Sequence, residues 1–368
     1  MEILPLLQEL RNKKASDLHI RANGPSYLRI DGELISLNKT FSADETSAIA
    51  QSLMNEERKS IFRVRHEVDM ALNFNDLGRF RINAFTQRGM VNMAFRYIPS
   101  NIPNLKDLKL PQAIEKISEN RRGLVLVTGT TGCGKSTTLA SMIDHINSTH
   151  SANIITIEDP IEFVHADKKA IFSQRELGTD TLTYFDALRN VVRQDPDVIL
   201  VGEMRDLETV STAITAAQTG HLVLSTIHTI DAIQTVTRII DLFPPHQQNQ
   251  ARLILADTLK AVISQRLLPH ASGVGRVPAV EVLVVNGIIK KLIEDSKLSE
   301  VLSQMKQGQY YGMQTFNQAL VGLLRANEIK LEDALLASAN PEEIKLAIRG
   351  IQSSSEDAMN FIERQPKI

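Results

Sequence analysis

The 368-residue chain has no tryptophan, a single cysteine and only 5% aromatic residues. It also has no apolar run approaching the ~20 residues that a membrane-spanning helix needs. One cysteine, Cys133, excludes both an internal disulfide and a zinc site built from cysteines. Basic and acidic side chains nearly balance, 41 against 43. That balance, with so few aromatics, argues against a nucleic-acid motor, which needs basic surfaces lined with stacking rings. The start, Met1-Glu2-Ile3-Leu4-Pro5, has no basic segment ahead of an apolar one, so no secretory leader is expected and the expected location is cytoplasmic. The hydrophobic and charged fractions, 43% and 23%, are those of an ordinary globular protein long enough for two domains.

The most informative stretch is Gly129-Thr130-Thr131-Gly132-Cys133-Gly134-Lys135-Ser136, which fits the phosphate-loop pattern G-x-x-x-x-G-K-[ST]. It lies between an apolar strand, Leu124–Thr128, and a stretch from Thr137 with Leu139, Met142, Ile143 and Ile146 at helical spacing. Glycines let a backbone wrap phosphates closely, and a helix N-terminus favours the anion. The expected ligands are therefore ATP and Mg²⁺, with Lys135 reaching the β and γ phosphates and the Ser136 hydroxyl on the metal. Cys133 reads in two ways: a thiol made reactive by the helix start, or a small side chain that the loop tolerates.

Residues 1–98 read as an α+β unit. Strands are expected around 18–20, 27–30, 34–37, 67–74, 79–85 and 91–97, with turns at Asp31-Gly32 and Asp76-Leu77-Gly78. Ser42 and Glu45 form a capping box for a helix through Ile49 and Leu53. The two prolines within 99–104 mark a linker, taken as 99–110. From 111 to 368 strands alternate with helices, with strands expected at 124–128, 153–157, 198–201, 222–226 and 279–285. That is the pattern of a mostly parallel sheet covered on both faces. The end reads as largely helical, including Leu253–Ile263 and a helix begun by Asn340 with Pro341 at its first position. Ser353–Ser355 lead into a polar tail expected to be mobile.

Hydrolysis also needs carboxylates and cations beside the loop. Val198–Val201 is an apolar strand followed by Gly202 and Glu203, which makes Glu203 the candidate to polarise the attacking water. Glu158, Asp159 and Glu162 follow the strand after the loop helix and are expected on the same sheet edge, where Asp159 is placed to hold Mg²⁺ through water. His221 and His228 flank the apolar strand Leu222–Thr226. They read as γ-phosphate sensors or, more plainly, as structural histidines. Arg79 and Arg81, two apart on a strand, share a face, with Phe80 and Ile82 pointing into the core. With Arg96 they form either a solvated basic face or a set of phosphate clamps.

These elements resemble the type IV pilus retraction ATPases of the PilT and PilU kind, within the wider secretion-system ATPases. The resemblance runs through ASDLHI (15–20), GRFRINAF (78–85), GTTGCGKSTTLA (129–140), ITIEDPIEF (155–163), QRELGTDT (174–181), ALRNVVRQDPDVILVGEMRD (187–206), TAAQTGHLVLSTIHT (215–229) and GMQTFNQAL (312–320). It implies a PAS-like N-terminal domain and a RecA-like ATPase domain, assembled as a homohexamer with nucleotide between the two. It implies that residues 129–137 bind the nucleotide, that Glu158, Asp159 and Glu162 form an acidic box, and that Glu203 is the catalytic glutamate. In the same family His221 and His228 form a histidine box, and Arg79, Arg81 and Arg96 reach the nucleotide. The implied setting is the cytoplasmic side of the inner membrane at a pilus platform protein, beside a possible paralogous motor, with no nucleic-acid partner. The missing four-cysteine site points to retraction rather than extension; segment 286–294 departs from the motif typical of the PilT kind, while Leu259–Leu267 and the linker ending Leu108-Lys109-Leu110-Pro111 lean towards the PilU kind. The alternative is a low-turnover nucleotide-binding ring that supports another motor.

Overall fold

The computed structural model describes residues 3–349 apart from Asp31, Asn75, Pro99 and Ser100. They fall into two compact α/β units, one running to Asn101 and including Glu162–His165, the other made of Ile102–Ile161 and the residues from Ala166 onward. Asp31 of the first expected turn, two linker residues and the polar tail after Ser353 lie outside the described residues.

The first unit holds a six-stranded antiparallel sheet of β1 (Asp17–Ile20), β2 (Gly24–Ile30), β3 (Glu33–Phe41), β4 (Glu67–Phe74), β5 (Gly78–Gln87) and β6 (Met90–Ile98), in the order β3-β2-β1-β6-β5-β4. Alternation makes its two faces different. Phe80, Ile82 and Ala84 of β5 are fully buried with Leu18, Leu28 and Phe95, beneath the helix Ala43–Leu53. That helix starts in the expected capping box, with Ser42 Oγ accepting from the Glu45 amide at 3.2 Å and Glu45 Oε2 from the Ser42 amide at 2.7 Å. A nine-residue helix, Leu4–Asn12, also packs Leu7 and Leu10 into this core. It was not foreseen, because two turns give too few repeats for a period to stand out.

The second unit holds a seven-stranded sheet of β7 (Gly123–Thr128), β8 (Asn153–Glu158), β9 (Ile171–Glu176), β10 (Val198–Val201), β11 (Leu222–Ile227), β12 (Leu259–Pro269) and β13 (Arg276–Val284), in the order β13-β12-β7-β11-β10-β8-β9. All neighbours are parallel except β12 and β13. Every residue of β7, β10 and β11 is buried, as expected of strands covered on both faces. One face packs Leu124, Ile155, Ile199 and Val223 against helix Leu207–Gln218. The other packs Val125, Val127, Ile154 and Leu224 against helix Lys135–Thr149.

One expected helix is corrected. Within 253–263 only the first part is helical: helix Gln248–Thr258 ends and Leu259 begins β12. Ala261, Val262 and Ile263 are fully buried, and an unbroken apolar run suits a buried strand as well as a helix. The phosphate-loop strand β7 therefore has a parallel partner on each side, β11 and β12.

Candidate nucleotide-binding site

In a parallel sheet the loops after the strands share one edge, and there the phosphate loop leaves β7. Gly129 is required by its surroundings: φ is +138°, and a Cβ would stand 2.4 Å from the Gln265 carbonyl oxygen and 2.5 Å from Cys133 Sγ. Gly134, at φ +94°, caps the helix that starts at Lys135. The buried Lys135 ammonium donates to the carbonyls of Gly129 at 2.9 Å and Thr130 at 3.0 Å. Thr130, Thr131 and Gly132 are exposed, and Ser136 and Thr137 are half-buried in the first helical turn. Beneath the loop, Gln265 Nε2 donates to Thr138 Oγ1 at 2.8 Å, and the Thr128 hydroxyl donates to Ser264 at 2.9 Å. Cys133 is buried, and burial pushes its thiol up against the opposing pull of Lys135. The reactive-thiol reading therefore gives way to a packing role.

Glu158 and Glu203 stand at that edge, at the ends of neighbouring strands. Ile157 of β8 lies beside Val201 of β10, so Glu158 and Gly202 leave the sheet side by side. Glu158 Oε1 accepts from Thr156 Oγ1 at 2.7 Å and Gln174 Nε2 at 3.2 Å. Glu203 Oε2 takes Arg205 Nη2 at 2.7 Å, and its Oε1 lies 3.3 Å from His228 Nε2. Partial burial pushes the Glu203 carboxyl up. The Arg205 hydrogen bond and the charges of His228, Arg205 and Lys135 outweigh it and hold the group below its ordinary range. Glu203 is thus an ionised base within the electrostatic reach of the loop lysine.

His221 does not join this group. It precedes β11, and its carbonyl accepts from the Gly123 amide at the start of β7, so it sits at the opposite edge from His228. Its ring Nδ1 lies 2.9 Å from the Ala216 carbonyl near the end of helix Leu207–Gln218. The expectation that both histidines face the nucleotide edge is corrected for His221: one strand length separates the two. Of the acidic box, Glu158 and Asp159 belong to the second unit, whereas Glu162, exposed, is grouped with the first.

In the first unit Arg79, Arg81 and Arg96 share the sheet face opposite the core, with Arg81 directly across from Arg96. Arg96 Nε donates to Asp17 Oδ1 at 2.8 Å, and Arg81 Nη2 lies 3.5 Å from Asp69 Oδ2. Two residues of the acidic edge escaped the sequence reading. Arg205 lay inside a quoted motif without being singled out. Tyr184 is presented by helix Tyr184–Val191, whose spacing announces no role in the site.

The residues fit a nucleotide carrying Mg²⁺. The glycine-built loop and the first-turn amides suit a polyphosphate. Among the described residues no group of three His, Cys, Asp or Glu side chains is placed to hold a metal alone. The Ser136 hydroxyl, half-buried in the first helical turn, is the kind of hard oxygen donor that suits a Mg²⁺ carried by phosphates. Among the described residues no helix is long and apolar enough to cross a membrane.

Residues 2–329 match the family model described as "Type II/IV secretion system protein". The chain is 42% identical over 343 residues to the type IV pilus retraction ATPase PilT of Pseudomonas aeruginosa, covering 93% of this chain and 99% of that one. It is 40% identical over 363 residues to the type IV pilus ATPase PilU of the same organism, covering 98% and 95%. Among solved structures it is similar to the pilus retraction motor PilT with bound ADP, at a TM-score of 0.88 and 48% identity, covering 93% and 98%.

Proposed function

Because the chain belongs to the type II/IV secretion system protein family, and within it to the retraction ATPases of the PilT and PilU kind, we propose that it hydrolyses ATP with Mg²⁺ to power pilus retraction. One observation carries the reading. Lys135, Glu203, Arg205 and His228 meet at a single sheet edge, and Glu203 is kept ionised there. The amides of residues 129–137 and the Lys135 ammonium bind the polyphosphate. Once Lys135 leaves the Gly129 and Thr130 carbonyls it can pair with phosphate oxygens, a stronger charge-assisted bond. Glu203 accepts a proton from water as that water attacks the γ phosphorus, the bond from that phosphorus to the bridging oxygen breaks with its electron pair leaving on ADP, and His228 and Arg205 keep the Glu203 carboxylate in place beforehand. Ser136 and Asp159 would hold Mg²⁺, which supplies charge neutralisation at the phosphates.

On the same reading, residues 1–98 form the PAS-like domain and 111–368 the ATPase domain. Arg79, Arg81 and Arg96 contribute to nucleotide phosphates, and six copies close a ring at the inner-membrane platform of a pilus. Identities of 42% and 40% to the two Pseudomonas relatives do not separate a PilT role from a PilU role. The test is Mg²⁺-dependent phosphate release by the purified protein, paired with twitching motility in a deletion strain with and without any paralogue. No phosphate release, or turnover unaffected by Lys135→Ala, defeats the reading.

A further inference from the structure

A carboxylate interrupts the apolar strand β13, where Glu281, 5% exposed, lies across from Ser264 of β12. Its Oε1 accepts from the Ala232 amide at 2.8 Å. Ala232 is fully buried and is the first residue of helix Ala232–Asp241. The leading amides of a helix have no partner within it, and the Asp231 side chain is engaged with a later one, accepting from the Gln234 amide at 2.7 Å. Glu281 thus supplies the acceptor for an amide whose burial alone would be costly. The strand side of the bond is fixed as well, since Val282 exchanges two backbone hydrogen bonds with Gln314, at 2.8 and 3.1 Å.

Only His228, Thr229, Ile230 and Asp231 separate the end of β11 from this helix. The strand end of that turn is held by the Thr226 hydroxyl, which donates to the Gly202 carbonyl at 2.7 Å. The helix end is held by Glu281 and by the hydroxyls of Thr229 and Thr235, which meet at 2.6 Å. His228 itself is exposed, so its place beside Glu203 depends on the turn that carries it. We propose that Glu281 is a positioning residue of the hydrolytic site: by holding the Ala232 amide, it keeps the turn where the His228 imidazole reaches Glu203. The inference rests on the ATPase reading. Without the acceptor, the helix start shifts towards another partner for its amide and takes His228 with it.

Glu281→Leu keeps the bulk and removes the acceptor, whereas Glu281→Gln keeps the acceptor. Ala232→Pro removes the donor at the first helical position, where proline is tolerated. In the full-length protein Glu281→Leu and Ala232→Pro should each lower kcat about fivefold, and Glu281→Gln should hold it within about twofold. In a His228→Ala background the first two changes should lower kcat by no more than about twofold, because a residue that acts through His228 then has nothing to place. Equal losses in the two backgrounds make Glu281 a packing residue and overturn the proposal. So does an unchanged kcat in Glu281→Leu, or a loss in Glu281→Gln that matches it. Should Glu281→Leu fail to fold, Ala232→Pro carries the same comparison. If the wild-type protein hydrolyses no ATP, the ATPase reading falls by itself. Structures of the variants then decide. The contact between His228 and Glu203, 3.3 Å in the wild type, should be lost in Glu281→Leu and Ala232→Pro and kept in Glu281→Gln, and a contact kept in all three overturns the role of Glu281.

Discussion

Glu203 and His228 meet at 3.3 Å, Oε1 to Nε2, across the ends of the neighbouring parallel strands β10 and β11. The contact joins the proposed base to His228, the member of the histidine pair that lies at the nucleotide edge. Glu203→Gln keeps the shape and removes the base. It is expected to cut kcat by at least about a hundredfold, in line with the loss of a general base, while binding of a fluorescent ATP analogue persists. Single-turnover phosphate release alongside a binding titration checks both halves.

The two histidines should separate experimentally. His228→Ala removes a charge that helps hold Glu203 low, so it should reduce kcat and move the acidic limb of the rate profile to higher pH. His221→Ala should leave kcat within about twofold and lower the thermal midpoint by a few degrees, on the order of one lost hydrogen bond. Equal losses of turnover in the two variants would contradict the opposite-edge placement.

Gly129→Ala should be severe. Its methyl would stand 2.4 Å from a backbone oxygen on β12 at a φ of +138°, and backbone cannot rotate aside as a side chain can. We expect roughly 3 kcal/mol of lost stability or more, read as a lowered denaturation midpoint. Cys133→Ala in the same chain should not restore it, because the Gln265 carbonyl remains.

Glu281 on β13 is buried and accepts from the Ala232 amide at 2.8 Å. Burial pushes its carboxyl from the ordinary 4.5 up to about 7, against the pull of that hydrogen bond. A raised pKa means that the folded chain holds the proton more tightly than the unfolded one. The contribution to stability is fully present below about pH 4.5 and is lost as pH rises through about 7. Glu281→Gln, which can still accept from Ala232, should flatten that part of the stability profile and be the more stable protein at pH 8. Denaturant midpoints at several pH values measure this.

Much of this architecture was legible because its signals are local. The capping box at Ser42 and Glu45, the apolar runs of β7, β10 and β11, and the alternation around Phe80 and Ile82 each depend on a few neighbouring residues. β12 was misread past Leu259 because its apolar run carries no period that separates a buried strand from a helix. β9 went unseen because this edge strand, Ile171–Glu176, is half polar with Ile171 exposed. In the site, Glu203 could be read from its place after an apolar strand. Tyr184 could not, since the approach of its hydroxyl to Gly202, 2.8 Å from where a Cβ would stand, exists only once β8 and β10 are paired and the helix is laid against them. His221 was misplaced for a related reason: strand ends look alike in sequence, and only direction within a parallel sheet tells the two edges apart.

The cross-strand pair Arg81 and Arg96 has a thermodynamic consequence of its own. Like charges facing each other on a sheet repel, and Asp17 and Asp69 offset that repulsion only in part, since both guanidinium groups remain well exposed. The first unit therefore folds with an unspent preference for negative charge on that face. Any polyanion that settles there strengthens the sheet by mass action, which makes the rigidity of this unit a function of what it binds.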